Sequence, residues 1–436
     1  MREIRLHDTR TGEVRAVEPA RAGQIGIYAC GPTVYGRIHV GNARPFVVFS
    51  LLKRFLEHEG YHVTFVTNIT DVNDKIYAAA AGQEGGSERL AREMTAAYVD
   101  DTDRLGLGRP DHEPLASEFI EPIIELIGRL VDTGHAYESS GDVYFSVSSY
   151  PGYGALSHQK LNQMDQGEGV EGAELKRDPL DFALWKAHKP GEDTVWDSPW
   201  GPGRPGWHIE CSAMAESLLG LEFEVHGGGS DLVFPHHENE AAQTCAARGR
   251  SLARLWMHNG MVRLQEAKMA KSEGNIFLLY QALDEFGRDA LIMYFCAGHY
   301  RQPVEFDHER LEQARASVKR VRETARRLTA GPSPPWSAPL HHEFFTALAE
   351  DFNTPRALAA LFEWTGQANR ATEPVGEVDL REMLEVLGLD NLLALPEGTT
   401  PPEVRELMAQ RERARAERDF ARADTLRAEI RSTESG

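Results

Sequence analysis

Residues 25–30 read Ile-Gly-Ile-Tyr-Ala-Cys, a short run of buried character that ends at Gly31-Pro32, a turn signal. The run predicts a strand. In residues 46–60, FVVFSLLKRFLEHEG, apolar positions recur at helical intervals, and Gly60 stands where a helix stops. Residues 61–67, YHVTFVT, are β-branched and aromatic and predict a second strand. Strand, helix and strand of this length make a βαβ unit, which crosses over right-handed into a parallel sheet. The loop after the first strand then lies at the carboxyl edge of the sheet and at a helix N-terminus. Nucleotides and phosphates bind there in open α/β sheets.

Further along, residues 68–75, NITDVNDK, leave the second strand at the same edge, as ligand-facing groups or as turn and cap residues. Helical patterns cover 87–105 and 118–133, and 142–147 alternates like a strand. Residues 159–174 are polar and glycine-containing, and predict a mobile loop. The region 113–205, which carries Trp185, Trp196 and Trp200, reads as an insertion interrupting the sheet. A further strand is predicted over 253–262, followed by a loop over 265–275 in which Lys268 and Lys271 bracket Met269-Ala270. Such a loop at a sheet edge suits an anionic phosphate, but it also suits a solvated turn. From residue 307 the pattern is all-helical: 311–328, 341–362, 379–387 and a highly charged 405–431, with linkers at 331–339 and 396–402. In the first of these helices Arg315, Lys319, Arg320, Arg322, Arg326 and Arg327 form either an RNA-facing stripe or a solvated face.

Composition narrows the function class. The chain has 436 residues and 41% hydrophobic content, enough for several packed domains. Its formal charge of −20 argues against broad, nonspecific adhesion to nucleic acid, while a local basic stripe is still compatible with RNA. The four cysteines, Cys30, Cys211, Cys245 and Cys296, have no framework spacing and suit a reducing compartment. The first residues lack an apolar signal region, and no apolar run is long enough to cross a bilayer. A cytoplasmic location is the expectation.

The densest chemistry lies in residues 206–240, GWHIECSAMAESLLGLEFEVHGGGSDLVFPHHENE. His236 and Glu240 stand four apart, on one face of a helix. With Cys211 and the distant Cys30 they would complete a four-ligand zinc set. The spacing has no compact Cys-x-x-Cys signature, so buried cysteines and core histidines are an equal reading of it.

Five segments in this order resemble the cysteinyl-tRNA synthetases, class I enzymes. They are YACGPTVYGRIHVGNAR, GWHIECSAM, HGGGSDLVFPHHENE, KMAKS and EDFNTP. The resemblance runs over nearly the whole chain. It implies a Rossmann-type parallel-sheet catalytic domain with an inserted acceptor-end domain, followed by a C-terminal all-α helical bundle. The implied boundaries are 1–112 and 206–262 for the two catalytic halves and 113–205 for the insertion. Residues 263–306 would form a stem-contact region, 307–395 the anticodon-side bundle and 396–436 a shortened final segment. It implies zinc on Cys30, Cys211, His236 and Glu240. The first family signature falls on His39, Val40, Gly41 and Asn42, and the second on Lys268 to Ser272. The implied catalytic residues are His39, Asn42, Lys268 and Lys271. ATP contacts would include Gly41, Gly227, Gly228, Gly229, Lys271 and Ser272, and amino-acid contacts Thr33, Trp207 and Asp231. Three features depart from the family: Asn42 replaces a histidine, Ala270 replaces a serine, and the chain stops at Gly436 without the usual tail.

The implied reaction forms cysteinyl-adenylate from L-cysteine and magnesium-bound ATP and passes the cysteinyl group to the 3′ end of tRNA(Cys), in a monomer with no membrane attachment. Gly227 to Gly229 are expected to admit a flat adenine or ribose. The alternative is the related cysteine ligase of mycothiol synthesis, which lacks the helical module. A noncatalytic, zinc-stabilised RNA-binding module is the alternative from another class, and the paired Lys268 and Lys271 weigh against it.

Overall fold

The computed structural model describes residues 2–160, 173–264, 267–268 and 276–394, together with Leu407, Gln410, Arg411, Arg422 and Leu426. The linker expected at 396–402, most of the loop expected at 159–174, and nearly all of the charged segment 405–431 lie outside the described residues.

Four parallel strands form the central sheet, in the order Ala253–Asn259, Phe223–Gly229, Gln24–Ala29, His62–Thr67. Ile25 and Ile27 face one hydrophobic core, while Tyr28 and Cys30 face another. Both faces of the strand are therefore covered, which is why its sequence reads as a continuous apolar run rather than an alternating one. The first two strands build outward in one direction and the last two in the other. The reversal falls between Gln24–Ala29 and Phe223–Gly229, where Ala29 pairs with Gly227. Such a switch point opens a crevice at the carboxyl ends of the strands.

The expected helix after the first strand spans Val40–His58, starting six residues earlier than the apolar pattern alone indicates. Gly60 follows it with φ +94°, and its N–H donates to the carbonyl of Glu57. The helix buries Val40, Phe46, Val47, Phe49, Leu52, Phe55 and Leu56. It does so because sheet and helical bundle cover it from opposite sides: Phe344, Phe345, Leu361 and Leu384 share its core.

Between the second and third sheet strands runs a separate antiparallel sheet, Ala136–Ser139, Asp142–Phe145, Phe182–Ala187 and Gly203–Pro205, paired in chain order. The helix Ile120–Asp132 covers it with Ile123, Leu126 and Ile127, against Phe145, Phe182 and Trp185. Of these strands, only the second was legible in the sequence pattern.

The strand expected over 253–262 is two strands. It breaks at Gly260, where an added Cβ would stand 2.4 Å from the Gln302 backbone. Val262–Leu264 then pairs antiparallel with Ala267–Lys268 and parallel with Val304–Glu305. The expected helix 341–362 is also two, Ser337–Ala349 and Thr354–Arg370. Between them Asp351 and Phe352 take φ of +61° and +45°, a left-handed pair that ends one helix before Asn353 caps the next. The basic stripe of His308–Ala325 and its extension is partly committed within the fold. Arg322 pairs with Asp289 at 2.6 Å, and Arg320 and Arg327 donate to the carbonyls of Phe362 and Asn369. Among the described residues, no helix is long and apolar enough to cross a membrane.

Candidate metal and nucleotide site

Cys30 follows the first sheet strand directly, and its N–H donates to the carbonyl of Gly227 across the switch point at 2.9 Å. Cys211 is the fifth residue of the helix Trp207–Leu219. His236 lies in the turn Val233–His237, and Glu240 in the first turn of Glu238–Arg248. The donor atoms of Cys30, Cys211, His236 and Glu240 all lie within 4.8 Å of one another, and all four residues are buried. Cys30 Sγ is 3.5 Å from both His236 Nε2 and Glu240 Oε1, which are 3.0 Å apart. Tetrahedral bonds of about 2.0–2.3 Å require donor separations of about 3.3–3.8 Å, so the set nearly matches a zinc-sized hole.

The electrostatics agree. Burial pushes the Cys30 thiol well above its ordinary range, with Cys211 and Glu240 adding to the effect. Burial also holds the His236 imidazole well below its ordinary range, helped by His208 and His226. Among the described residues the buried Glu240 Oε2 has no hydrogen-bond partner, with His226 Nε2 3.5 Å away. A cation at the centre would reverse the cost of the thiolates. His236 Nδ1 lies 2.8 Å from His208 Nδ1, which leaves Nε2 to face the other donors. Trp207 stacks on His236, with centroids 4.3 Å apart and planes 23° apart.

Sequence reasoning missed a second donor set. Cys30, His226, His237 and Glu240 also converge within 4.8 Å. His237 Nε2 is 3.3 Å from Cys30 Sγ, and His226 Nε2 is 3.5 Å from Glu240 Oε2. Behind His237 runs a chain of contacts, His237 Nδ1 to His258 Nε2 at 2.7 Å and His258 Nδ1 to Thr9 Oγ1 at 2.7 Å. The available signal was His237, three residues before Glu240; His226 and His258 lie within separate strands and carry no spacing clue.

The nucleotide-side residues gather at the helix N-terminus. His39 is the N-cap of Val40–His58. Its ring nitrogen accepts from the Asn42 N–H, and the Asn42 side-chain oxygen accepts from the His39 N–H, both at 3.3 Å. Asn42 thus completes a reciprocal capping box, which gives the departure from the family signature a local role. Gly41 leaves room for the His39 ring, which an added Cβ would press at 2.9 Å.

Packing gives a reason of its own for glycine at Gly227 to Gly229. An added Cβ would meet Phe49 at 2.2 Å on Gly227, Leu232 at 2.9 Å on Gly228 and the Asp231 carboxylate at 2.5 Å on Gly229. Thr33 is half-buried and bridges to Thr70 beside Cys30. Asp231 is exposed in the turn Ser230–Leu232, just past the strand. The Lys268 backbone pairs with Arg263. Lys271 and Ser272 lie outside the described residues.

Comparison with known proteins agrees with this geometry. A family model described as the tRNA synthetases class I (C) catalytic domain matches residues 16–316, and a DALR domain model matches 343–390. A cysteine–tRNA ligase of Pseudothermotoga lettingae is 42% identical over 443 residues, covering 98% of this chain and 96% of the relative. One of Alkalilimnicola ehrlichii is 45% identical over 447 residues, with the same coverage. The fold is shared with a Mycobacterium tuberculosis methionyl-tRNA synthetase solved with methionyl-adenylate, at TM-score 0.62 and 16% identity over 85% of this chain and 89% of that one. The helical-domain match and the names of these relatives support the synthetase reading and give none to the mycothiol ligase. This chain belongs to the cysteine–tRNA ligases, class I synthetases with a Rossmann-like catalytic sheet and a helical DALR domain.

Proposed function

We propose that this chain activates L-cysteine with ATP and transfers it to the 3′ end of tRNA(Cys), choosing the amino acid by its sulfur. The observation that carries the amino-acid choice is the convergence of Cys30, Cys211, His236 and Glu240 at the carboxyl edge of the sheet. These residues would hold zinc, which supplies a seat for a substrate thiolate and a poor one for a hydroxyl. Apolar contacts alone would separate such near-isosteres by only ~1–3 kcal/mol. Trp207, stacked on His236, and Thr33, beside Cys30, would flank the amino acid. Asp231 would meet its polar end.

His39 and Asn42, at the N-terminus of Val40–His58, would receive the triphosphate of magnesium-bound ATP, where the helix dipole favours anions. Lys268 and Lys271 would offset charge on the leaving pyrophosphate, with Ser272 as a further ATP contact. The chain's contribution to rate is then positioning and charge stabilisation. The insertion 113–205 would hold the acceptor end, 263–306 the stem, and 307–436 the anticodon side. The protein would work in the cytoplasm as a monomer.

The test is metal content measured alongside cysteine-dependent ATP–pyrophosphate exchange and charging of tRNA(Cys). Stoichiometric zinc, exchange with cysteine but not serine, and charging are expected. Exchange in the metal-free protein would overturn the selection argument. Transfer to an amino-sugar acceptor but not to tRNA would overturn the acceptor assignment.

A further inference from the structure

Arg44 is fully buried, in the first turns of the helix capped by His39. Among the described residues no carboxylate pairs with it. Its guanidinium instead gathers three backbone carbonyls from two distant segments. Nη1 donates to Gly260 at 2.6 Å and to Met261 at 3.3 Å, and Nη2 donates to His299 at 3.1 Å. An apolar side chain would fill this space without burying a charge, so packing alone does not account for arginine here. The rigid, planar fork suits several acceptors at fixed angles.

The three carbonyls belong to segments that lead to the site. Gly260 and Met261 immediately precede Val262–Leu264, the strand that pairs with Ala267–Lys268. His299 belongs to the turn after Arg288–Ala297, and the neighbouring Tyr300 carbonyl accepts from the Gly260 N–H at 2.7 Å. That turn is itself pinned from the helical domain. Asp351 accepts from the Tyr300 hydroxyl at 2.7 Å and the His7 N–H at 2.9 Å, and pairs with Arg301 at 2.5 Å. Arg44 therefore lies where the first-signature helix, the root of the Lys268 strand pair and the Asp351-anchored turn meet.

We propose that Arg44 is a positioning residue for adenylate formation, fixing the helix N-terminus at His39 and Asn42 against the strand pair that carries Lys268. The proposal rests on the reading of those two segments as the ATP-handling parts of the site. Loss of the tie lets the two halves drift, and a misplacement of about 1 Å can cost about 100-fold in rate. Cysteine recognition, built on Cys30, Cys211, His236 and Glu240, to none of which the Arg44 guanidinium donates, does not depend on the tie.

The experiment compares Arg44→Met, Arg44→Lys, Asp351→Asn and His39→Ala in cysteine-dependent ATP–pyrophosphate exchange, with metal content and cysteine affinity measured on each protein. Arg44→Met is expected to keep its metal and its cysteine affinity while its exchange kcat falls about 30-fold or more. Arg44→Lys should recover part of the loss, because an ammonium reaches some of the three carbonyls but not all. If Arg44→Met does not fold, Asp351→Asn reads the same tie from its far end, with kcat about 3- to 10-fold lower and cysteine affinity unchanged. A kcat within about threefold of wild type in every Arg44 and Asp351 variant that folds overturns the proposal. Parallel loss of cysteine affinity and kcat also overturns it, as the mark of a merely structural role. Wild-type exchange in His39→Ala would instead sink the underlying assignment of the ATP segment.

Discussion

His208 Nδ1 lies 2.8 Å from His236 Nδ1, so the two imidazoles share one proton on the side of His236 that faces away from the metal donors. His208 is fixed in turn, because Gln243 donates to its carbonyl at 2.7 Å. A ligand imidazole held in this way keeps its tautomer and ring angle. His208→Phe, which retains the ring volume and removes the contact, should weaken metal affinity about 10- to 100-fold. Competition against a chelator of known affinity measures it, and an unchanged constant would show that His236 orients itself.

The buried thiol of Cys30 and the depressed imidazole of His236 set the sign of a pH effect. Without metal the thiol keeps its proton at neutral pH. Metal binding requires thiolate, so uptake should release about two protons, from Cys30 and Cys211. Apparent affinity should then rise with pH and fall on acidification. Calorimetry in buffers of different ionisation enthalpy counts the protons; a count of zero would mean that the cysteines do not ligate.

His258 gives a separate handle on stability. Burial lowers its pKa from 6.5 to about 3, with His226 and His7 adding to the effect. The folded pKa is depressed, so the unfolded chain binds the proton first. The stabilisation is complete above pH 6.5 and is lost as pH falls toward 3. At pH 5 the loss from this one group is about 2 kcal/mol. Denaturant melts at pH 7.5 and pH 5 should show that contribution as a difference between the wild type and His258→Asn, whose slope is flatter by about one proton. Equal slopes would mean that His258 does not carry it.

Gly41 makes a sharper point about the signature. The His39 ring folds back over the helix end, and an added Cβ would press within 2.9 Å of it. Gly41→Ala should therefore displace His39 and break the reciprocal cap with Asn42. The cap is worth about 1 kcal/mol of stability. The exchange rate should fall much further, about 10-fold or more, because the displaced group would face ATP. A loss of stability without a loss of rate would confine the signature to capping.

The parts of the fold legible in the sequence are those whose burial follows from their own residue types. Residues 25–30 and 62–67 are apolar on both faces because helices cover both, and no partner needs naming to see it. Phe223–Gly229 escapes that reading because Glu224 and His226 are fully or nearly buried within it. Glu224 is tolerated there because it accepts from the N–H groups of Ala20 and Gly26, both at 2.6 Å, partners some two hundred positions away. For the converging set Cys30, Cys211, His236 and Glu240 the spacing of His236 and Glu240 is a hint and the resemblance decides, since three separate segments supply the four residues. His226, His237 and His258 emerge from neither, because only folding brings their rings to Cys30 and to one another.

The second donor set changes what a ligand deletion should do. Removing Cys211 empties one corner of the first set, yet Cys30, His226, His237 and Glu240 still converge within 4.8 Å. Their one thiol, two imidazoles and one carboxylate remain a competent set for a borderline-soft ion. Cys211→Ala should accordingly keep a metal with affinity weakened about 100-fold, on the scale seen when a support of a metal site is lost. Exchange with cysteine should nevertheless fail, because an ion moved toward His226 and His237 is no longer beside Trp207. Cobalt substitution separates the cases. One sulfur ligand in the spectrum of Cys211→Ala, with two in the wild type, places the ion in the second set. Complete loss of metal would instead assign the first set alone.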